Sequence, residues 1–286
     1  REYSYEKGGS VRIVILGDSF AFGNGVNLEE SYPEYLRKLY ESNKESVEVI
    51  NLGVPGYGIN NEYLSFVEEG NKYNPDIILI GYVTNDWNTH QVIKKNNGKY
   101  VINKSHTSFV NEDGLMVVFS SEKMNLRSIH LFFLYNIRSY SFIYSKSRLL
   151  LKSIIDKFWK NQEIPAMYWD NNSVEYKQAY DGYYNLLKML KENTNAIIVI
   201  FIGPFRENLI SQEEIKIIYG INYSLDIFQT QKDVKEISNK LSIEVIDIPL
   251  KDKEIFLEID GHWNSQGNQI MAEEIYHKID LVKNYK

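Results

Sequence analysis

Five residues of this sequence carry groups that nucleophilic catalysis needs: Ser19, Gly53, Asn85, Asp260 and His262. A serine hydroxyl is a weak nucleophile until a neutral imidazole takes its proton, and a carboxylate must fix the tautomer of that imidazole. Asp260 and His262 are two residues apart, so in an extended segment both side chains point the same way. The backbone N–H groups of Ser19 and Gly53 and the side-chain amide of Asn85 could donate hydrogen bonds to an oxyanion. We therefore predict that Ser19 is a nucleophile activated by His262.

Five short apolar runs, rich in β-branched residues, predict the buried strands of a parallel sheet: residues 11–16, 47–52, 76–83, 196–202 and 243–248. Ser19, Gly53 and Asn85 follow the first three runs. The pair Asp260 and His262 follows the fifth run after a short excursion. Because the carboxyl ends of parallel strands lie along one edge of a sheet, this topology alone brings the five residues together.

Helical segments are predicted between these runs, among them residues 173–191, 232–241 and 265–279, where apolar residues recur at helical spacing. Ser31 and Glu34 have the spacing of a capping box, which predicts the start of another helix. The alternation of strands and helices indicates an α/β fold, a three-layer sandwich with a five-stranded parallel sheet and helices on both faces. We predict one domain that spans residues 1–286.

Residues 87–172 are far too many for an ordinary connection between a strand and a helix. Asn-Gly at 97–98 and Asp-Gly at 113–114 are typical turn signals, so we predict one or two β-hairpins in the first half of this segment. We expect the segment to be a long insertion after the third strand, beside the candidate site.

The composition excludes several classes of function. The formal net charge is −6 and no cluster of lysines and arginines is interleaved with aromatic residues, which argues against a nucleic-acid partner. The chain has no cysteine, so disulfides, thiolate metal sites and a cysteine nucleophile are excluded. No stretch approaches the roughly 18 consecutive apolar residues that a membrane span needs.

Metal and cofactor binding are not favoured by the motifs. A metal site would gather hard ligands such as Asp18, Asp86, Asp260 and His262, and the sequence has no His-Glu-x-x-His or paired-carboxylate motif to support it. The glycines near Ser19 lack the spacing of a dinucleotide-binding or phosphate-binding loop. We therefore expect no metal and no other cofactor.

Each candidate also has a simpler structural interpretation. Ser19 could cap a helix, and Asp260 could stand at a helix entry. Gly53 and Asn85 could be plain turn residues. Arg206, just after the fourth apolar run, is a further candidate for contact with a substrate.

Four short motifs resemble, in order, the four blocks of the SGNH (GDSL-type) hydrolase superfamily: ILGDS at 15–19, NLG at 51–53, TND at 84–86 and DGHWN at 260–264. The resemblance implies a flavodoxin-like fold. It also implies that Ser19 is the nucleophile and that Gly53 and Asn85 hold the oxyanion. Asp260 and His262 would be the acid and the base, and no cofactor would be needed.

The resemblance implies a serine esterase that cleaves short-acyl or O-acetyl esters of small molecules or glycans through an acyl-enzyme on Ser19. The Asp-x-His spacing, followed by tryptophan and asparagine, also resembles SGNH-type O-acetyltransferases of extracellular polysaccharides. An O-acetyltransferase acting on a glycan is therefore one alternative, and a non-catalytic glycan-binding module is a second. Because residue 1 is arginine, an export signal could precede it. An extracytoplasmic or secreted protein is favoured, with a cytoplasmic location and the oligomeric state left open.

Overall fold

The structure is a computed structural model that describes residues 3–89, 93–96, 99–102, 107–110, 116–119, 164–249, 253–257 and 261–283. Its described strands are, in chain order, β1 (Val11–Leu16), β2 (Val47–Asn51), β3 (Ile77–Tyr82), β4 (Ile93–Asn96), β5 (Lys99–Ile102), β6 (Thr107–Val110), β7 (Met116–Phe119), β8 (Ile197–Ile202) and β9 (Glu244–Asp247). Its described α-helices are α1 (Ser19–Phe22), α2 (Tyr32–Ser42), α3 (Ile59–Glu68), α4 (Asp86–Thr89), α5 (Val174–Glu192), α6 (Gln212–Tyr219), α7 (Gln229–Lys240) and α8 (Ser265–Lys283).

The central sheet contains five strands in the order β2-β1-β3-β8-β9, and every pair of neighbours is parallel. The predicted five-stranded parallel sheet is therefore confirmed. Its inner strands β1, β3 and β8 are almost fully buried, which is why they appear in the sequence as continuous apolar runs. The crossovers through α2 and α3 run in opposite directions along the sheet, so right-handed connections place these helices on opposite faces. The result is the predicted three-layer sandwich.

The long insertion follows β3, as predicted. Strands β4 and β5 pair in antiparallel register, with Asn96 opposite Lys99, so two residues connect them. Strands β6 and β7 form a second antiparallel pair. Both pairs flank the predicted turn signals, and the two-hairpin interpretation is confirmed. The second half of the insertion lies mostly outside the described residues.

Helix α2 begins at the predicted place, but the capping box that predicted it does not form. Ser31 is the N-cap residue, yet its hydroxyl donates to the Leu28 carbonyl at 2.7 Å instead of accepting an N–H group. The Tyr32 N–H bonds instead to the side-chain oxygen of Asn268, 3.0 Å away. A partner from α8 therefore replaces the local cap. Within the described part of the chain, no helix combines the length and the apolar character needed to cross a membrane.

A buried arginine at the amino end of β1 binds residues 4–6 to the amino-terminal edge of the sheet. Arg12 is 1% exposed. Its guanidinium donates to four backbone carbonyls and one carboxylate at 2.5 to 3.1 Å, those of Ser4, Tyr5, Glu6, Tyr73 and Glu48. The guanidinium therefore links residues 4–6 to β2 and to the segment before β3, at the edge of the sheet opposite Ser19.

We expect Arg12→Leu to lower the free energy of unfolding by about 1–3 kcal/mol, because four carbonyls and the Glu48 carboxylate lose a charged donor. Arg37→Leu is the control, since Arg37 pairs with glutamates of its own helix, and such surface pairs contribute only about 0.3–0.5 kcal/mol. Urea denaturation of both variants measures the difference. An Arg12→Leu protein no less stable than Arg37→Leu would refute the stabilising role of the Arg12 hydrogen bonds.

A second buried ionisable side chain lies on α3. Glu62 is 3% exposed and faces the interior close to Asp18. Burial, together with repulsion from the Asp18 carboxylate, raises the pKa of Glu62 from 4.5 to about 8. A carboxyl with a raised pKa holds its proton more tightly in the folded chain than in the unfolded one. The free energy of unfolding therefore falls as the pH rises from 4.5 to about 8.

We expect Glu62→Gln to flatten this pH dependence, because glutamine is a neutral side chain of the same shape. The wild-type protein should lose up to about 1.4 kcal/mol more per pH unit within the window. Denaturant melts at several pH values measure the slope. Glu68→Gln, an exposed change on the same helix, should keep the wild-type slope, and parallel slopes for Glu62→Gln and wild type would contradict the prediction.

Candidate active site

Ser19 is the first residue of α1, directly beyond the carboxyl end of β1. Its neighbour Asp18 is the N-cap residue, whose carboxylate accepts the Phe20 N–H at 2.8 Å. The capping role considered for Ser19 therefore belongs to Asp18, and the Ser19 hydroxyl is left for other partners. Gly23 ends this short helix in the left-handed conformation, with φ of 83°, which glycine adopts without strain.

His262 lies on a loop that is anchored in the hydrophobic core. An antiparallel bridge joins Phe256 to Trp263 at the base of this loop, and the Leu257 N–H donates to the His262 carbonyl at 2.8 Å. Trp263 is fully buried, and its indole N–H donates to the Pro204 carbonyl at 2.9 Å. The aromatic residue next to the histidine therefore fixes the loop against the end of β8.

The structure brings Ser19 and His262 into direct contact. Ser19 Oγ lies 2.7 Å from His262 Nε2, although 243 residues separate them in sequence. The ring of Phe20 packs against the imidazole with centroids 4.7 Å apart. Ser19 Oγ is also 3.3 Å from an Asp18 oxygen. A hydroxyl donates one hydrogen, and the shorter distance favours the imidazole as its acceptor.

Asn85 reaches the same place from the loop after β3. Its side-chain nitrogen donates to Asp18 Oδ2 at 3.2 Å. An amide nitrogen carries two hydrogens, so one remains available for a second acceptor such as an oxyanion. Asp86 accepts the Val83 N–H at 2.8 Å, which closes the turn that presents Asn85.

Gly53 lies against the nucleophile-bearing helix. A Cβ at this position would be 2.6 Å from the Ala21 Cβ and 2.9 Å from the Phe22 nitrogen, so only glycine fits. The N–H group of Gly53 donates to Asn51 Oδ1 at 2.9 Å. The predicted oxyanion donor therefore has an internal acceptor in this structure.

The two remaining candidates from the sequence are Asp260 and Arg206. Asp260, the predicted acid, lies outside the described residues. Arg206 follows β8 and donates to the Leu257 carbonyl at 3.0 Å, next to the loop of His262. Its side chain therefore supports this loop.

The interior behind Ser19 is rich in carboxyl groups. Burial raises the pKa of Asp18, and hydrogen bonds from the Phe20 N–H and the Asn85 amide oppose the rise. Burial, together with repulsion from Asp18 and Glu62, raises the pKa of Asp86 well above its usual range. Asp86 therefore favours its protonated form. Among the described residues, no three histidine, aspartate or glutamate side chains form a metal-binding group.

Sequence reasoning did not single out the structural roles of Asp18, Asn51 and Glu62. Signals for each were present. Asp18 and Asn51 belong to the motifs around Ser19 and Gly53, so their polar side chains next to a predicted site could have been assigned to it. Glu62 is three residues after buried Ile59, which places it on the inner face of α3.

Comparison with known proteins identifies the family. The profile described as GDSL-like Lipase/Acylhydrolase matches residues 13–275. A search of curated protein sequences gives no match.

Solved structures with a similar fold include the psychrotrophic esterase EstA from Pseudoalteromonas sp., at 12% identity and a TM-score of 0.48, covering 96% of this chain and 98% of that one. The acetyl xylan esterase AlAXEase is similar at 11% identity and a TM-score of 0.49, covering 94% and 100%. A member of the lipolytic protein G-D-S-L family from Veillonella parvula DSM 2008 is similar at 10% identity and a TM-score of 0.48, covering 94% and 97%. On the strength of the profile match over residues 13–275, this chain belongs to the GDSL-like lipase/acylhydrolase family and is an esterase of the SGNH type.

Proposed function

We propose that this esterase cleaves short-acyl or O-acetyl carboxylic esters through an acyl-enzyme on Ser19. The observation that carries the proposal is the 2.7 Å distance between Ser19 Oγ and His262 Nε2. This is the hydrogen-bond geometry that a serine nucleophile and its general base require.

In the first half of the reaction, Ser19 Oγ attacks the ester carbonyl carbon while its proton passes to His262 Nε2. The backbone N–H of Ser19 and the free hydrogen of the Asn85 amide stabilise the resulting oxyanion, together with the Gly53 N–H. Collapse of the tetrahedral intermediate breaks the bond to the alcohol, which leaves with the proton from His262. Asp260 is the expected partner that orients the imidazole.

In the second half, water takes the place of the alcohol. His262 accepts a proton from the water, whose oxygen attacks the acyl carbon. The second oxyanion collapses, the carboxylic acid leaves, and Ser19 regains its proton. Apart from the ester and water, neither half of the proposed reaction needs a further reactant or a cofactor.

Two apolar side chains beside the nucleophile support a short acyl group. Phe22 is 52% exposed and Val54 is 36% exposed. They follow Ala21 and Gly53, whose contact joins α1 to the loop after β2. Among the described residues, these two side chains match the few methylene groups of a short acyl chain.

We expect Ser19→Ala to reduce the hydrolysis of p-nitrophenyl acetate on the order of 10⁴-fold or more, because the attacking oxygen is lost. The matched control is Ser42→Ala, which removes an exposed hydroxyl at the end of α2 and should leave the rate unchanged. A fluorophosphonate should label the wild type and Ser42→Ala but not Ser19→Ala. Hydrolysis that survives in Ser19→Ala would refute the proposal.

We expect kcat/KM to be highest for p-nitrophenyl acetate to butyrate and to fall for octanoate and longer esters, since Phe22 and Val54 are the two exposed apolar side chains that flank Ala21 and Gly53 in the described part of the chain. A panel of acetylated sugars, assayed by acetate release, tests the O-acetyl preference. A maximum at octanoate or beyond would contradict the short-acyl assignment. Faster acylation of an added glycan than release of acetate to water would indicate a transferase.

A further inference from the structure

Asn51, the last residue of β2, connects two parts of the candidate site. Its Oδ1 accepts the Gly53 N–H at 2.9 Å, and its Nδ2 donates to the Ala21 carbonyl at 2.8 Å. Ala21 belongs to α1, which begins with Ser19. One side chain therefore ties the predicted oxyanion glycine to the helix that carries the nucleophile.

The rest of the loop leaves the Gly53 peptide little freedom to move. A Cβ at Gly53 would lie 2.9 Å from the Ala21 carbonyl carbon, so the backbones of Gly53 and Ala21 pack closely. The N–H groups of Leu52 and Val54 donate to carbonyls at the end of β1, at 2.9 and 3.0 Å. The N–H group of Gly53 between them is oriented by Asn51 alone among the described residues.

The Gly53 N–H has one hydrogen, and in this structure a neutral amide oxygen accepts it. A neutral ester carbonyl is no stronger an acceptor than this amide. An oxyanion is stronger, because charge-assisted hydrogen bonds are roughly twice as strong as neutral ones. The Gly53 N–H should therefore exchange its hydrogen bond to Asn51 for one to the substrate oxygen as negative charge develops. An interaction made only in the transition state raises kcat.

We propose that Asn51 is a positioning residue of the oxyanion hole. Its side chain links the Gly53 peptide to α1 and accepts the Gly53 N–H until an oxyanion replaces it as the acceptor. The proposal rests on the proposed function, since it takes Ser19 as the nucleophile and Gly53 as an oxyanion donor. It predicts that Asn51 affects the chemical step and leaves substrate binding nearly unchanged.

The test compares p-nitrophenyl acetate with its thiono counterpart, in which sulfur replaces the carbonyl oxygen. Sulfur accepts hydrogen bonds weakly, so the thiono ester depends less on oxyanion donors. We expect Asn51→Ala to lower kcat for the oxygen ester about 10- to 100-fold, with KM within about twofold, because a misplaced donor costs up to about 100-fold. The thiono ester should lose less than about threefold, so the thiono-to-oxygen ratio of kcat should rise.

Two further variants keep the test sharp. Asn193→Ala is the matched control, because the Asn193 side chain also donates to a backbone carbonyl, at 2.8 Å, but lies near the amino end of β8; neither kcat nor the ratio should change. Asn51→Ser retains an oxygen that can accept the Gly53 N–H, so its kcat should fall between those of wild type and Asn51→Ala. If Asn51→Ala does not fold, as judged by circular dichroism, the ratio measured on Asn51→Ser decides.

The outcomes separate this inference from the proposed function. If Ser19→Ala is inactive and Asn51→Ala loses oxygen-ester and thiono-ester turnover equally, or loses neither, the positioning role is refuted and the proposed function stands. If Ser19→Ala remains active, both are refuted. An increased ratio in Asn51→Ala with an inactive Ser19→Ala supports both.

Discussion

One buried carboxylate holds the candidate site together. Asp18 is 2% exposed, and its two oxygens accept the Phe20 N–H and the Asn85 amide. Burying a carboxylate costs several kcal/mol, and these charge-assisted bonds offset part of that cost. The same bonds fix the start of α1 relative to the loop after β3. The distance between the predicted nucleophile and the predicted oxyanion amide is therefore set by a single side chain that takes no part in the proposed proton transfers.

This arrangement concentrates carboxyl groups behind the site. Asp86 and Glu62 are buried beside Asp18, and this burial, together with repulsion from the Asp18 carboxylate, raises the pKa values of both groups. Such a cluster lowers stability, so packing elsewhere must compensate for it. Packing also positions the site, because the buried indole of Trp263 supports the loop that carries His262. Stability and the alignment of the site thus depend on shared contacts.

The sheet and the positions of Ser19, Gly53, Asn85 and His262 could be predicted because they follow from local pattern and topology. Buried strands are continuous apolar runs, and parallel strands bring their carboxyl ends to one edge. The capping of α2 could not be predicted, because the partner of the Tyr32 N–H is Asn268, 236 residues away. The internal acceptor of the Gly53 N–H also escapes prediction, since it depends on the rotamer that Asn51 adopts when its amide nitrogen reaches Ala21. Burial of Asp18 and Glu62 depends likewise on tertiary packing that polar residue types do not reveal.

The contact between Ser19 and His262 joins two segments that are 243 residues apart in sequence. A ribosome makes the serine well before the histidine, and domains generally fold as units. The nascent polypeptide therefore carries the Ser19 hydroxyl without its candidate base until the segment around His262 has been added. The proposed ester hydrolysis can therefore begin only after the segment around His262 has packed against the sheet, which makes completion of the fold a condition for activity.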